Sequence, residues 1–259
     1  MCAYLNLGKF VIPTYGLFII LGLTLTNIIG YCVIRKSKLD INNFIILESY
    51  GLLGAFIGAK LLYLIIAKKY IDWSLIFNYK YLIQLLKGGF VFYGGLIGAL
   101  LLINFAGRIH RIIIKDYLCD LIFLIPFGHA FGRIGCFMSG CCYGIPYKGF
   151  GAVVFPRNSF APYGISLLPI QLIEAFFLIC ISFLIFFLRK KKNNYVVEIY
   201  LILYGITRFV LEIFRYDYIR GKIFGISTSQ WISLIIVIIG IGSLLANKRK
   251  EEKERNENG

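Results

Sequence analysis

Seven apolar runs, near residues 14–34, 43–66, 89–107, 117–136, 168–188, 195–214 and 226–246, are each long enough to cross a bilayer as a helix, which takes roughly 20 residues for about 30 Å of hydrocarbon. Lipid offers backbone amides no partners, so such runs fold as helices that satisfy their own hydrogen bonds. The expected fold is all-α: a polytopic integral membrane protein with about seven transmembrane helices and a small extracytoplasmic cap. A composition that is 59% hydrophobic over 259 residues, with a mean hydropathy of +0.77, lies outside the range of soluble globular chains.

The net charge of +15 raises nucleic acid as a partner, but the basic residues sit between and after the apolar runs, not on one soluble face. No nucleic-acid partner is expected. Arg35, Lys36, Lys38, Arg108, Arg111, Lys115, Arg189 to Lys192, Lys248, Arg249, Lys250, Lys253 and Arg255 place 15 positive charges on one side. Lys9, Lys68, Lys69, Lys80, Lys87, Lys148, Arg157, Arg215, Arg220 and Lys222 place 10 on the other. The positive-inside rule then puts the N-terminus outside and the C-terminus in the cytoplasm. The first run has only Lys9 ahead of it and no small-residue cleavage site, so it is expected to stay as an anchor, not to act as a signal peptide.

Residues 1–247 are expected to form one transmembrane domain, with longer outer connections at 68–88 and 137–167. Residues 248–259 are expected to be a charged, disordered cytoplasmic tail. The first connection mixes Trp73, several tyrosines and lysines with aliphatics, as in a segment lying in the headgroup layer. The second contains Pro146, Pro156 and Pro162 and reads as an ordered loop.

A charged side chain at mid-membrane costs about 2.5 to 3.5 kcal/mol on insertion scales, which singles out Arg133, Arg208, Glu212, Glu174, Glu48 and Lys60. Arg208 and Glu212 stand four apart on one helix face, with Arg215 a turn further on. They can form a self-contained ion pair, or contribute to a site with Arg133. His129, Arg133 and Cys136 share one stripe of the fourth run; His129 taken alone also fits a core histidine bonded to a carbonyl. Guanidiniums converging in a membrane cavity match phosphate oxygens, so an anionic lipid is the expected ligand. Gly94, Gly95 and Gly98 suit close helix packing, and Tyr15 and Tyr93 suit an aromatic belt.

The stretch "GRIGCFMSGCCYG", Gly132 to Gly144, resembles the signature G-R-x-G-N-F-x-N-x-E-x-x-G of the prolipoprotein diacylglyceryl transferase family. Five other stretches are similar to that family's landmarks and follow their order: "TYGLFIILG", "FYGGLIG", "PIQLIEA", "YGITRFVLEIFR" and "ISTSQWISL". The resemblance implies a seven-span enzyme of the bacterial inner membrane that moves the diacylglyceryl group of phosphatidylglycerol to the lipobox cysteine of a prolipoprotein signal peptide. Under it, Arg133 and Arg208 clamp phosphate, and Gly132, Gly135 and Gly144 shape the adjoining loop. Gly94, Gly95, Cys136, Gln171, Glu174, Glu212 and Arg215 border the substrate, while Tyr15 and Tyr93 join the catalytic group.

Cys136, Ser139 and Cys141 replace the signature's Asn, Asn and Glu, and Tyr93 replaces a histidine. The usual base is therefore missing. Tyr93 can keep the hydrogen-bonding part of that histidine's role, and His129 can take the thiol proton. Three further readings remain open: another acceptor, lipid binding without turnover, and a metal or thiol redox site built on His129, Cys136, Cys141 and Cys142. The cysteine spacing fits no standard zinc pattern, and no cofactor is expected because no nucleotide or phosphate-loop fingerprint occurs.

Overall fold

A computed structural model describes residues 4–8, 10–191, 193–216 and 222–257; Lys9, Lys192 and Arg220, named above, lie outside them. A short hairpin, β1 (Tyr4–Leu7) and β2 (Phe10–Pro13), leads into α1 (Thr14–Ser37) and α2 (Ile41–Ala67). Then come a 3-10 turn at Trp73–Leu75, α3 (Tyr79–Lys87), α4 (Phe92–Ile109), α5 (Ile114–Leu121) and α6 (Leu124–Ser139). The chain ends with β3 (Val153–Val154), β4 (Ser166–Leu167), α7 (Ile170–Lys190), α8 (Val196–Ile213), β5 (Lys222–Ile223), β6 (Ile226–Ser227) and α9 (Thr228–Glu257).

Every apolar run is helical, and the chain is a multi-pass, all-α membrane protein. α1, α2, α7 and α9 are each long and apolar enough to cross a membrane alone, and the pair α5 and α6, bent by 52° at its break, raises the number to five. α4 is shorter, and α8 carries Glu198, Arg208 and Glu212 within its 18 residues. Helices occupy all seven apolar runs, and four or five of them have the length and composition of a full span.

The fold comprises two compact units, residues 34–117 and residues 1–33 with 118–259. Within the first, α2 and α4 pack backbone to backbone. A Cβ on Gly54 or Gly98 would lie 2.3 or 2.1 Å from the other's carbonyl oxygen, and one on Gly94 would lie 2.3 Å from that of Gly58. Van der Waals contact of this kind drives helix association where lipid removes the hydrophobic effect. Lys60 of α2 is buried because its ammonium donates to the carbonyls of Leu85 and, at 2.6 Å, Gly88, which are left over at the end of α3. The connection 68–88 thus has structure of its own. Asn78 caps α3, its side-chain oxygen accepting from the amides of Lys80 and Tyr81.

In the second unit α1 lies against α6, where Gly22 leaves room for Phe131 and Gly128 for Thr26. α6 and α7 are tied by Ser182 Oγ, which donates to the carbonyl of Phe123 at 2.8 Å, and below them Arg189 pairs with Asp120 at 2.8 Å. α8 meets α9 through Gly205 and Gly240. The connection 137–167 folds over a small core of Phe155, Ala161 and Leu167, with the ring of Phe137 edge-on to Phe155.

The expected disordered tail is instead helical as far as Glu257, a direct continuation of α9. Lys, Glu and Arg are good helix formers, and extending an existing helix avoids the unfavourable nucleation step. Tyr195 and Asn194 fasten the extension by donating to the two carboxylate oxygens of Glu251.

Candidate active site

The site grows from three helices of one unit, each delivering its charge through the register of its own turn. α7 begins beside Pro169 and presents Gln171 and Glu174, three apart, on its buried face. α6 brings Arg133 to the same place, with Nε 3.0 Å from Glu174 Oε1. α8 brings Arg208, whose Nη1 lies 3.3 Å from both oxygens of Glu174. The two guanidiniums, distant in sequence, therefore meet on one carboxylate.

Arg208 also pairs through Nη2 with Glu212 one turn along α8, and donates to Ser229 Oγ at 3.4 Å. Glu212 in turn accepts from Ser227 Oγ at 3.2 Å and has Arg215 Nε at 3.8 Å. The ion pair suggested by the 208 and 212 spacing is real, but it is one edge of a larger network. Arg133, Arg208 and Arg215 face Glu174 and Glu212, so the buried cluster carries one positive charge in excess. An unneutralised charge in a dry interior is costly, and an anion of the lipid phosphate type removes that cost. Arg133 is the most exposed of the three guanidiniums, at 14% against 7% for Arg208. Among the described residues its ionic partner is Glu174, through Nε, which leaves the terminal fork for a ligand.

The signature loop packs tightly around this network. Gly140 takes φ +73° at the end of α6, and a Cβ there would lie 2.6 Å from that of Ser159, so glycine alone fits the turn. A Cβ on Gly144 would strike the Leu168 carbonyl at 2.6 Å. This close approach lets residue 144 bridge to Arg215 and the amide of Ile145 donate to the Phe214 carbonyl at 3.0 Å. Gly135 admits Tyr15 of α1, which is half-exposed, and Gly132 opens on free space.

Gln171 is buried on α7, and its Nε2 donates to the Cys141 carbonyl at 2.8 Å. Cys136, Cys141 and Cys142 lie with their sulfurs within 4.8 Å of one another. His129 sits one turn before Arg133 on α6, its ring 5.9 Å from that of Tyr204. Tyr93, Gly94 and Gly95 belong to the other unit, where Gly94 packs against Gly58 and Gly95 against Ala55. Close helix packing accounts for both glycines. Sequence reasoning assigned no role to Ser227 and Ser229, although both lie in the "ISTSQ" landmark that had been matched.

Residues 3–246 match the family model described as prolipoprotein diacylglyceryl transferase. A phosphatidylglycerol–prolipoprotein diacylglyceryl transferase of Clostridium tetani is 33% identical over 229 residues, covering 88% of this chain and 90% of its own length. A second protein of that name, from Clostridium perfringens, is 36% identical over 206 residues, with 78% and 77% covered. One from Dehalococcoides mccartyi is 28% identical over 260 residues, with 98% and 95% covered.

Proposed function

This chain belongs to the prolipoprotein diacylglyceryl transferase family, and from that premise we propose how its own residues carry the transfer. The enzyme moves the diacylglyceryl group of phosphatidylglycerol to a prolipoprotein. The acceptor is the lipobox cysteine of a signal peptide. Its thiolate attacks the glyceryl carbon that bears the phosphate ester; a carbon–sulfur bond forms, the carbon–oxygen bond to phosphate breaks, and the headgroup leaves as glycerol phosphate.

Arg133 and Arg208 hold the phosphate as negative charge builds on the departing oxygen, with Glu174 positioning both guanidiniums and Glu212 holding Arg208. The observation that carries this reading is the meeting of two helices' guanidiniums on Glu174 with a positive charge in excess. His129 takes the acceptor's sulfhydryl proton, because the thiolate is the reactive form. Tyr15, Gly132, Gly135, Cys136 and Gly144 border the substrate. Residues 1–247 form the transferase domain, in a bacterial inner membrane with its N-terminus outside, as the 15 to 10 split of basic residues favours.

The test is purified enzyme in phosphatidylglycerol vesicles with a lipobox peptide. Thioether peptide and glycerol phosphate in equal amounts are expected. Lipid binding without glycerol phosphate release would leave a carrier, not a transferase.

A further inference from the structure

We propose that Cys136, Cys141 and Cys142 hold one zinc ion through three thiolates and leave its fourth position open to the acceptor's cysteine. The metal rests on the geometry of the sulfurs; the identity of the fourth ligand rests on the transferase reading above. Three sulfurs bound to tetrahedral zinc at about 2.3 Å stand about 3.8 Å apart, and these three already lie within 4.8 Å of one another. A disulfide would join two of them and strand the third.

The trio is a built arrangement. Cys136 is buried in the last turn of α6, and the left-handed Gly140 folds the chain back so that the amide of Cys141 donates to the Cys136 carbonyl at 3.1 Å. Gln171 holds the Cys141 carbonyl from α7. Cys142 takes φ +57°, a conformation that costs a non-glycine residue of order 1 to 3 kcal/mol and persists where its surroundings over-determine it. Hydrogen-bonded ligand backbones of this kind orient metal ligands.

Arg133 acts electrostatically on Cys136 and Cys142, and Arg215 acts on Cys142, so the trio lies within reach of the arginine cluster. Cys141 and Cys142 are half-buried, so a fourth ligand can reach them. Catalytic zinc sites keep three protein ligands and an open position, and a thiol that enters one is deprotonated outright. The acceptor's sulfur would bind zinc as its proton is released to water, and the bound thiolate would then attack the glyceryl carbon. Zinc would thus supply the ionised sulfur in a chain whose signature lacks the family's usual base.

The experiment measures zinc per chain in protein purified under reducing conditions, then replaces zinc by cadmium and records the cadmium–sulfur absorbance. One zinc per chain is expected, falling below a tenth in Cys136→Ser and Cys142→Ser and unchanged in Cys180→Ser, a cysteine exposed on α7. A lipobox peptide should raise the absorbance by about a third, from three thiolates to four, and a peptide with serine in place of cysteine should not. Zinc-free reduced protein, or a disulfide between Cys141 and Cys142 in protein taken from membranes, would overturn the metal. An absorbance unmoved by the peptide would overturn the open position. Failure of the transferase reading would show separately, as no glycerol phosphate release from an enzyme with its zinc intact.

Discussion

Arg133 Nε and Arg208 Nη1 lie 3.0 and 3.3 Å from the same oxygen of Glu174. Two like charges meet here because one carboxylate holds them from between, and the excess positive charge is what a lipid phosphate can neutralise. A guanidinium serves both partners at once: Arg208 spends one nitrogen on Glu174 and another on Glu212. An ammonium has no such fork.

Arg133→Lys and Arg208→Lys should therefore each reduce transfer by a hundredfold or more, although the charge is kept. That loss corresponds to about 2.7 kcal/mol of transition-state stabilisation. Initial rates of thioether formation at saturating phosphatidylglycerol measure it. A variant that kept most of its rate would remove its arginine from the clamp.

In the proposed reaction Glu174 acts by positioning. Glu174→Gln keeps its shape, removes its charge and raises the cluster's excess to two positive charges. Phosphatidylglycerol should then bind at least as well while the forks lose their alignment, so KM stays level or falls as kcat drops tenfold or more. Glu174→Ala, which leaves two buried guanidiniums short of a partner, should cost about 3 to 5 kcal/mol of stability. Separate measurement of kcat and KM for the lipid distinguishes this from simple unfolding, which would lower the amount of active enzyme without that split.

The helices and the 208 to 212 pair were legible in the sequence because both follow from local periodicity. The sharing of Glu174 was not, since it joins three helices whose contributions lie up to 75 residues apart. Lys60 shows the same limit. Its charge inside an apolar run signalled an unmet need, but the carbonyls that meet it lie 25 and 28 residues later. The cysteine spacing fits no tabulated zinc pattern, because a left-handed glycine, not a regular loop, brings the sulfurs together. In the tail, composition was misleading: the charges that suggest disorder in an isolated segment suit a helix already running.

His129 carries the proton transfer in the proposed reaction, and general bases of this kind contribute about 10² to 10⁴-fold. His129→Ala should lose at least a hundredfold at pH 7. An ordinary cysteine thiol ionises near pH 8.5, so raising the pH through that value ionises the acceptor without a base, and the defect should shrink toward pH 9. Full activity of His129→Ala at pH 7 would withdraw that assignment and leave the clamp standing.

Two glycines separate packing from binding. A methyl group on Gly98 would sit 2.1 Å from the Gly54 carbonyl oxygen, so Gly98→Ala must push α2 and α4 apart. Overpacking of this kind costs about 1 to 3 kcal/mol, and the melting temperature of the solubilised protein should fall. A methyl group on Gly132 would meet no atom within 4 Å. In mid-helix, glycine to alanine gains roughly 0.5 to 1 kcal/mol, so Gly132→Ala should melt at the same temperature or higher. Gly132 adjoins Arg133, and if the open space beside it is where the lipid lies, the more stable protein should transfer more slowly, with KM for phosphatidylglycerol raised severalfold. An unchanged KM would place the lipid on another side of the guanidinium.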